Sequence, residues 1–548
     1  MKRWVRYAGG VGAAVVVVGL VTGTAVAVNI APTATTGTAY IAKAACERRY
    51  VQGQGNFTPD VPPNSIDGFV STGFEAQEES ATASVMGLYP STAWRVPGSG
   101  CVVADSRPAV TDPVPPVAER TTPGVPQPVR PFTGPADAAV QRAVAAALDR
   151  EGSRGVVVMQ DGAVVGEGYS GGFDEFTPQR GWSMTKSVTN ALAGRVAAGA
   201  VPGATLSPDD HDLWAGWGEG DERRSITVDN LMRMTPGLEW DESYGLTGDV
   251  AELLYHEPDQ AAFVADKPLT SRPGTTRTYS TGTTALLCSV LQDRTRMGAD
   301  MAYRLLYRPL GMASAELEFD RSGGLACGSG MMATPRDWAK FGQFILNDGV
   351  VDPDAPDVVD PATGEASPAP AARRLLPRDW LRESFTTHPA GGEGETESSG
   401  GTGTAPYGAG WWVNRASDGR AHFPDLPVDM VWADGHDGQY LAVVPSRRLV
   451  VVRQGFTPGA SFANSGMREL VRDAVAATDT ATGGRRWPGT VGAGTDADAT
   501  AGAGSGSGSG SGSDATAGAG TGSGSGSGSG GGWSGAGGDA TAGAGLVQ

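Results

Sequence analysis

The chain has 548 residues and 40% hydrophobic content, enough for a sizeable core and long enough for more than one domain. A net charge of −18 and a pI near 4.8 argue against nucleic acid or an anionic membrane surface as a partner. No residue pattern asks for a metal or another cofactor.

Lys2, Arg3 and Arg6 precede an apolar run over residues 8–28. That order marks a signal peptide or a single-pass membrane anchor. Ala25-Val26-Ala27 suits cleavage, yet the run approaches the ~20 residues that span a bilayer. Either way the rest is expected outside the cytoplasm, secreted or tethered through this segment. Residues 29–106 form an N-terminal extension with few helix signals. A Pro-rich linker follows over 107–135, and the main folded domain is expected over 136–480.

That domain opens with helical spacing at Val140, Val144 and Leu148. Val156 to Met159 and Val164-Val165 then flank Asp161-Gly162, a hairpin signature. Helices are expected over 183–200, 227–234, 283–297, 299–307 and 335–347. Strands return over 430–433, 440–444 and 449–453, and a closing helix spans 465–477. Strands at both ends around a helical middle predict an α+β fold. One antiparallel sheet, split in sequence and flanked by helices, would carry an inserted all-helical subdomain. Low-complexity stretches at 352–372 and 391–404 read as surface loops, and 481–548 as a disordered Gly/Ser/Ala-rich tail.

Cys46, Cys101, Cys288 and Cys327 form an even set in an oxidising compartment. The expected pairs are Cys46 with Cys101 and Cys288 with Cys327, against an alternative of buried free thiols.

Only five of the 42 basic residues are lysine, and Lys186 stands three after Ser183. Lysine can lose its proton near neutral pH where arginine cannot. Val188, Leu192 and Val196 recur every four residues, so Ser183 and Lys186 share a helix face one turn apart. The plainer interpretation is a helix N-cap serine beside a solvated lysine. Downstream, Tyr279 lies in a turn before another helical run, where a phenol can exchange protons if a nearby cation lowers its pKa. Gly435-His436-Asp437-Gly438-Gln439 separates two strand-like runs. Its glycines permit close backbone approach, and His436 could offer positive charge to a substrate carboxylate. Each alone is equally an ordinary half-buried tyrosine or turn histidine.

Together and in order, these elements resemble the serine β-lactamase-like superfamily with its Ser-x-x-Lys, Tyr-x-Asn and Lys-Thr-Gly motifs. The resemblance covers residues 136–478 and points to the class C branch of esterases, D-amino-acid peptidases and 6-aminohexanoate-dimer hydrolases. It is carried by residues 181–190 (GWSMTKSVTN), 231–240 (LMRMTPGLEW) and 332–342 (MATPRDWAKFG). Residues 40–105 are similar to an N-terminal extension on some members. Departures are Thr281 for the Asn, His436 for the Lys, and no Ser-Asp-Asn or class A deacylating Glu. Efficient β-lactam turnover is therefore not expected.

The resemblance implies an acyl-enzyme on Ser183, with Lys186, kept neutral by burial, as base and Tyr279 as relay. It places the N–H groups of Ser183 and Gln439 in the oxyanion hole, and Tyr244, His436 and Gly438 against substrate. A small amide or ester is the expected substrate. Alternatives are D-Ala-D-Ala peptidase or β-lactamase action on cell-wall peptides, and a non-catalytic penicillin-recognising protein.

Overall fold

The computed structural model describes residues 31–55, 60–61, 67–117, 135–351, 358–359, 366–367, 373–388 and 405–478. The expected signal or anchor, most of the linker and of both low-complexity insertions, and the tail lie outside the described residues. Among the described residues no helix is long and apolar enough to cross a membrane.

The extension is more ordered than its sequence suggests. Residues 31–46 form a helix, α1, followed by strands β1 (Val70–Glu75), β2 (Ser80–Val85), β3 (Leu88–Val96) and β4 (Gly100–Val103) in one antiparallel sheet. The Thr-rich α1 hid its helical character because its stability comes from docking. Thr38 Oγ1 donates to the Tyr89 carbonyl at 2.8 Å and meets Ser91 Oγ at 2.9 Å. Cys46 and Cys101 are disulfide-bonded, pinning the end of α1 to β4.

The larger part of the chain begins with α2 (Pro135–Leu148), β5 (Ser153–Gln160) and β6 (Ala163–Tyr169). Asp161 and Gly162 both have positive φ, 48° and 79°, as a tight hairpin turn between right-twisted strands requires. A short strand β7 (Gln179–Arg180) leads into α3 (Met184–Ala197). The helical middle contains α4 (Val228–Met232), α5 (Asp249–Tyr255), α6 (Gln260–Ala265), α7 (Thr281–Thr295) and α8 (Arg308–Leu310). Then come β8 (Glu316–Leu317), β9 (Met331–Ala333) and α9 (Pro335–Leu346). Two small ribbons pair β10 (Val350–Val351) with β13 (Arg373–Arg374), and β11 (Val358–Val359) with β12 (Ala366–Ser367). α10 (Trp380–Ser384), β14 (Trp412–Val413), β15 (Val431–Gly435), β16 (Gln439–Val444), β17 (Leu449–Gly455) and α11 (Met467–Thr478) complete the chain order.

The main sheet runs β14-β15-β16-β17-β5-β6 and is antiparallel throughout, with β17 paired to β5 from Leu449↔Gln160 to Val452↔Val157. The sheet is thus closed by strands far apart in sequence, as the α+β expectation required. Both faces are covered, so the central strands are apolar on both sides. Val156, Val158, Ala442, Val444 and Val451 pack with α2 and α11 in one core. On the other face α9 comes so close that a Cβ on Gly342 would lie 2.4 Å from Val450. Cys288 in α7 is bonded to Cys327, so this pairing also forms. It fixes the backbone just before Gly328, which reaches the site below.

Candidate active site

Trp182, just before Ser183, has a φ of +49°, a strained value for a bulky side chain. The strain presents Ser183 at the head of α3, where its side chain makes no capping hydrogen bond. The hydroxyl oxygen instead lies within hydrogen-bond reach of Lys186 Nζ, 2.8 Å away, with both residues buried (7% and 2% exposed). The alternative of a capping serine beside a solvated lysine is therefore absent from this structure. Lys186 Nζ also donates to Thr281 Oγ1 at 2.9 Å and to the Gly328 carbonyl at 3.1 Å. Gly328 must be glycine here, since a Cβ would lie 2.7 Å from the Thr281 methyl.

Thr281 leads to a residue the sequence reading did not single out. Its hydroxyl donates to Glu242 Oε1 at 2.5 Å, and its N–H donates to Glu242 Oε2 at 2.9 Å. Trp240 Nε1 also donates to Oε2, at 2.5 Å. The clue was the alternation Trp240-x-Glu242-x-Tyr244, three polar-tipped residues sharing one side of an extended segment.

Tyr279 and Tyr244 both border the serine. Lys186 Nζ sits 4.7 Å from the Tyr279 ring centroid. Burial, then Tyr407 and Glu242, push the Tyr279 phenol well above its usual range, while a contact to Ser183 acts in the opposite sense. The condition that a cation lowers its pKa is not met. Tyr279 is held as a protonated phenol, able to give a proton and receive one back. Tyr244 is raised too, mainly by burial, with contacts to Ser183 and Thr281 opposing. It stacks on His436 with ring centroids 3.8 Å apart, and Trp182 meets both rings edge-on.

His436 does not supply the expected positive charge, because burial lowers it to about 4. Its Nε2 lies 3.3 Å from Asp437 Oδ1, but burial raises Asp437 to about 7 and the two atoms lack hydrogen-bond geometry. The pair is a contact of weakly charged groups rather than an ion pair.

The turn between β15 and β16 also bears on two backbone expectations. Asn414 N–H donates to the Met430 carbonyl, so even-numbered residues of β15 turn their main chain to the outer edge. Gly435 faces inward and pairs with Gln439, placing the Gln439 N–H inside the hairpin rather than toward Ser183. The Gln439 side chain likewise braces Gly455. Asp434 is the last residue of β15 turned to the open edge, and His436 follows it at the turn. The edge abuts the nucleophile loop, since a Cβ on Gly435 would lie 2.2 Å from the Gly181 carbonyl. Gly438 turns away from the site, its carbonyl accepting from Arg453 at 2.5 Å.

The extension grips the strand entering this loop. Glu318, 1% exposed, receives Lys43 of α1 at 2.9 Å and Arg180 of β7 at 2.8 Å. Arg180 also pairs with Glu47. Tyr40 of α1 stacks on Tyr255 at 4.7 Å and meets Trp182 edge-on at 6.2 Å.

The beta-lactamase family profile matches residues 140–476. The chain belongs to the beta-lactamase family. Its antiparallel sheet and helical insertion are those of this family's fold. None of the curated proteins matches the chain. Among solved structures it is similar to a Bacillus anthracis protein assigned by name as a 6-aminohexanoate-dimer hydrolase. Identity there is 20%, over 67% of this chain and 90% of the other, at a TM-score of 0.48. It is similar to a Mycobacterium bovis beta-lactamase at 17% identity, over 62% and 98% of the two chains, with a TM-score of 0.41. A Caulobacter crescentus penicillin-binding protein homolog has 14% identity over 64% and 99%, with a TM-score of 0.46.

Proposed function

We propose that this family member is an extracytoplasmic serine hydrolase that cleaves small amide or ester substrates through an acyl-enzyme on Ser183. The observation carrying this is the buried 2.8 Å contact between Ser183 Oγ and Lys186 Nζ. A nucleophile needs its base within hydrogen-bond reach, and the base needs a third group to orient it.

Ser183 Oγ attacks the carbonyl carbon while its proton passes to Lys186. The new oxyanion lies against the N–H groups of Ser183 and His436, each such donor contributing about 3 kcal/mol to the transition state. The C–N or C–O bond then breaks, and the leaving group takes the proton from Lys186 by way of the Tyr279 phenol. Water attacks the acyl ester by the reverse route, releasing the carboxylic acid and restoring the Ser183 hydroxyl. Tyr244 and Trp182 form the aromatic wall against which substrate lies.

A neutral His436 where lactamases carry a lysine favours this reading over β-lactam or D-Ala-D-Ala chemistry, which needs a cation for the substrate carboxylate. Two disulfides among the described residues support an oxidising compartment, as does the N-terminal apolar run. Attachment to the membrane through that run, if it is uncleaved, is part of the same proposal. Cell fractionation checks it: extension-tagged protein found in the cytosol would overturn the location. The activity is tested with p-nitrophenyl acyl esters and short amides. Ser183→Ala should abolish turnover, and equal rates in both proteins would reject the assignment.

A further inference from the structure

The bonds around Thr281 constrain where protons can lie. Thr281 Oγ1 has one hydrogen, and the carboxylate oxygen 2.5 Å away can only accept it. Glu242 cannot turn aside, because its other oxygen already accepts from Trp240 Nε1 and the Thr281 N–H. Thr281 Oγ1 must therefore accept from Lys186, and so must the Gly328 carbonyl. A neutral amine has two hydrogens and one electron pair. Both hydrogens are claimed, which leaves the electron pair facing the Ser183 hydroxyl.

We propose that Glu242 is a positioning residue for Lys186, acting through the Thr281 hydroxyl to aim the amine's electron pair at Ser183. The inference rests on the acyl-enzyme reading and adds the orienting member to its base. Once Lys186 has taken the serine proton, the ammonium has three hydrogens for three acceptors, with the Glu242 charge one hydroxyl away. The arrangement follows the logic of a hydrolase triad, in which an acid orients the base and stabilises its protonated form.

Tyr244 on the same loop, Tyr279 before α7, Tyr407 against the Tyr279 ring, and His436 and Asp437 on the β15–β16 turn are titratable groups around this relay. Tyr244 and Tyr279 are raised and His436 is lowered to about 4, whereas Asp437, at about 7, ionises in mid-range.

The test is Glu242→Gln, assayed on p-nitrophenyl acetate across pH. The amide oxygen takes the place facing Trp240 and the Thr281 N–H, which turns the NH₂ group toward Thr281 Oγ1. The Thr281 proton then swings onto Lys186 and occupies the pair meant for Ser183. The expected result is a kcat about 100-fold lower with little change in KM. The rising limb of the kcat/KM profile should also move to lower pH, because the ammonium has lost its counter-charge. Thr281→Val should give the same loss, and Thr281→Ser should recover it. Asp437→Asn, made in both backgrounds, removes the mid-range ionisation on the neighbouring β15–β16 turn.

Wild-type turnover and an unshifted limb in Glu242→Gln, with Ser183→Ala inactive, would overturn the inference alone. Lower activity with an unshifted limb, and no recovery in Thr281→Ser, would also overturn it, since that is the signature of a merely structural role. Thermal melting separates lost fold from lost orientation. Ser183→Ala turning over like wild type would instead remove the acyl-enzyme reading, and this inference with it.

Discussion

Glu318→Gln tests how the extension supports the site. The carboxylate is 1% exposed and stands between Lys43 at 2.9 Å and Arg180 at 2.8 Å. Burial alone would raise its pKa, but the two cations outweigh burial and hold it below its ordinary 4.5. Removing the charge leaves two buried cations facing Glu47, which is itself pushed up to about 7, chiefly by burial. Breaking a buried ion pair on one side costs about 3–5 kcal/mol. At roughly 2–4 °C per kcal/mol for a domain of this size, the melting temperature should fall by about 10 °C. A depressed acid stabilises fully above its unfolded pKa and loses that contribution as pH falls through the folded value. The wild-type and Glu318→Gln melting curves should therefore converge in acid. Calorimetry at pH 7 and pH 3 reads both effects. Melting within 1 °C of wild type at pH 7, or a gap that widens in acid, would refute the reasoning.

Replacing Cys288 and Cys327 together by serine opens a 39-residue loop, for which chain entropy gives about 4 kcal/mol of lost stability. Denaturant titration should show that loss, with activity falling more steeply on warming as the Gly328 carbonyl loosens. Gly328→Ala forces a methyl to within 2.7 Å of the Thr281 side chain. Kinetics should show kcat down by about 10- to 100-fold in a protein that still folds, since a misplacement of about 1 Å costs up to 10²-fold. His436, lowered to about 4 by burial, stays neutral above pH 5. His436→Gln should leave the rising limb of the pH–rate profile where it is, and a shifted limb would show that the imidazole carries charge after all.

The sequence exposed the parts of the fold built from repeating patterns. Val188, Leu192 and Val196 announced α3, Asp161-Gly162 announced the β5–β6 turn, and the two cysteine pairs form as expected. Ser183 and Lys186 could be read because both lie on one helix turn, where spacing alone brings side chains together. Glu242 could not, because it arrives from an irregular loop and touches the site only through Thr281. The charge of His436 and the direction of the Gln439 N–H depend on burial and hairpin register, which no local pattern encodes. The α1 helix escaped notice for a related reason, its hydroxyls finding partners only once β3 is in place.

Trapping the acyl group addresses the main claim most directly. Intact-mass and peptide mapping after brief reaction with a slow acyl ester or a fluorophosphonate should place one adduct on Ser183, with none in Ser183→Ala and little in Lys186→Met. An adduct on another residue, or turnover that proceeds unchanged without Ser183, would contradict it.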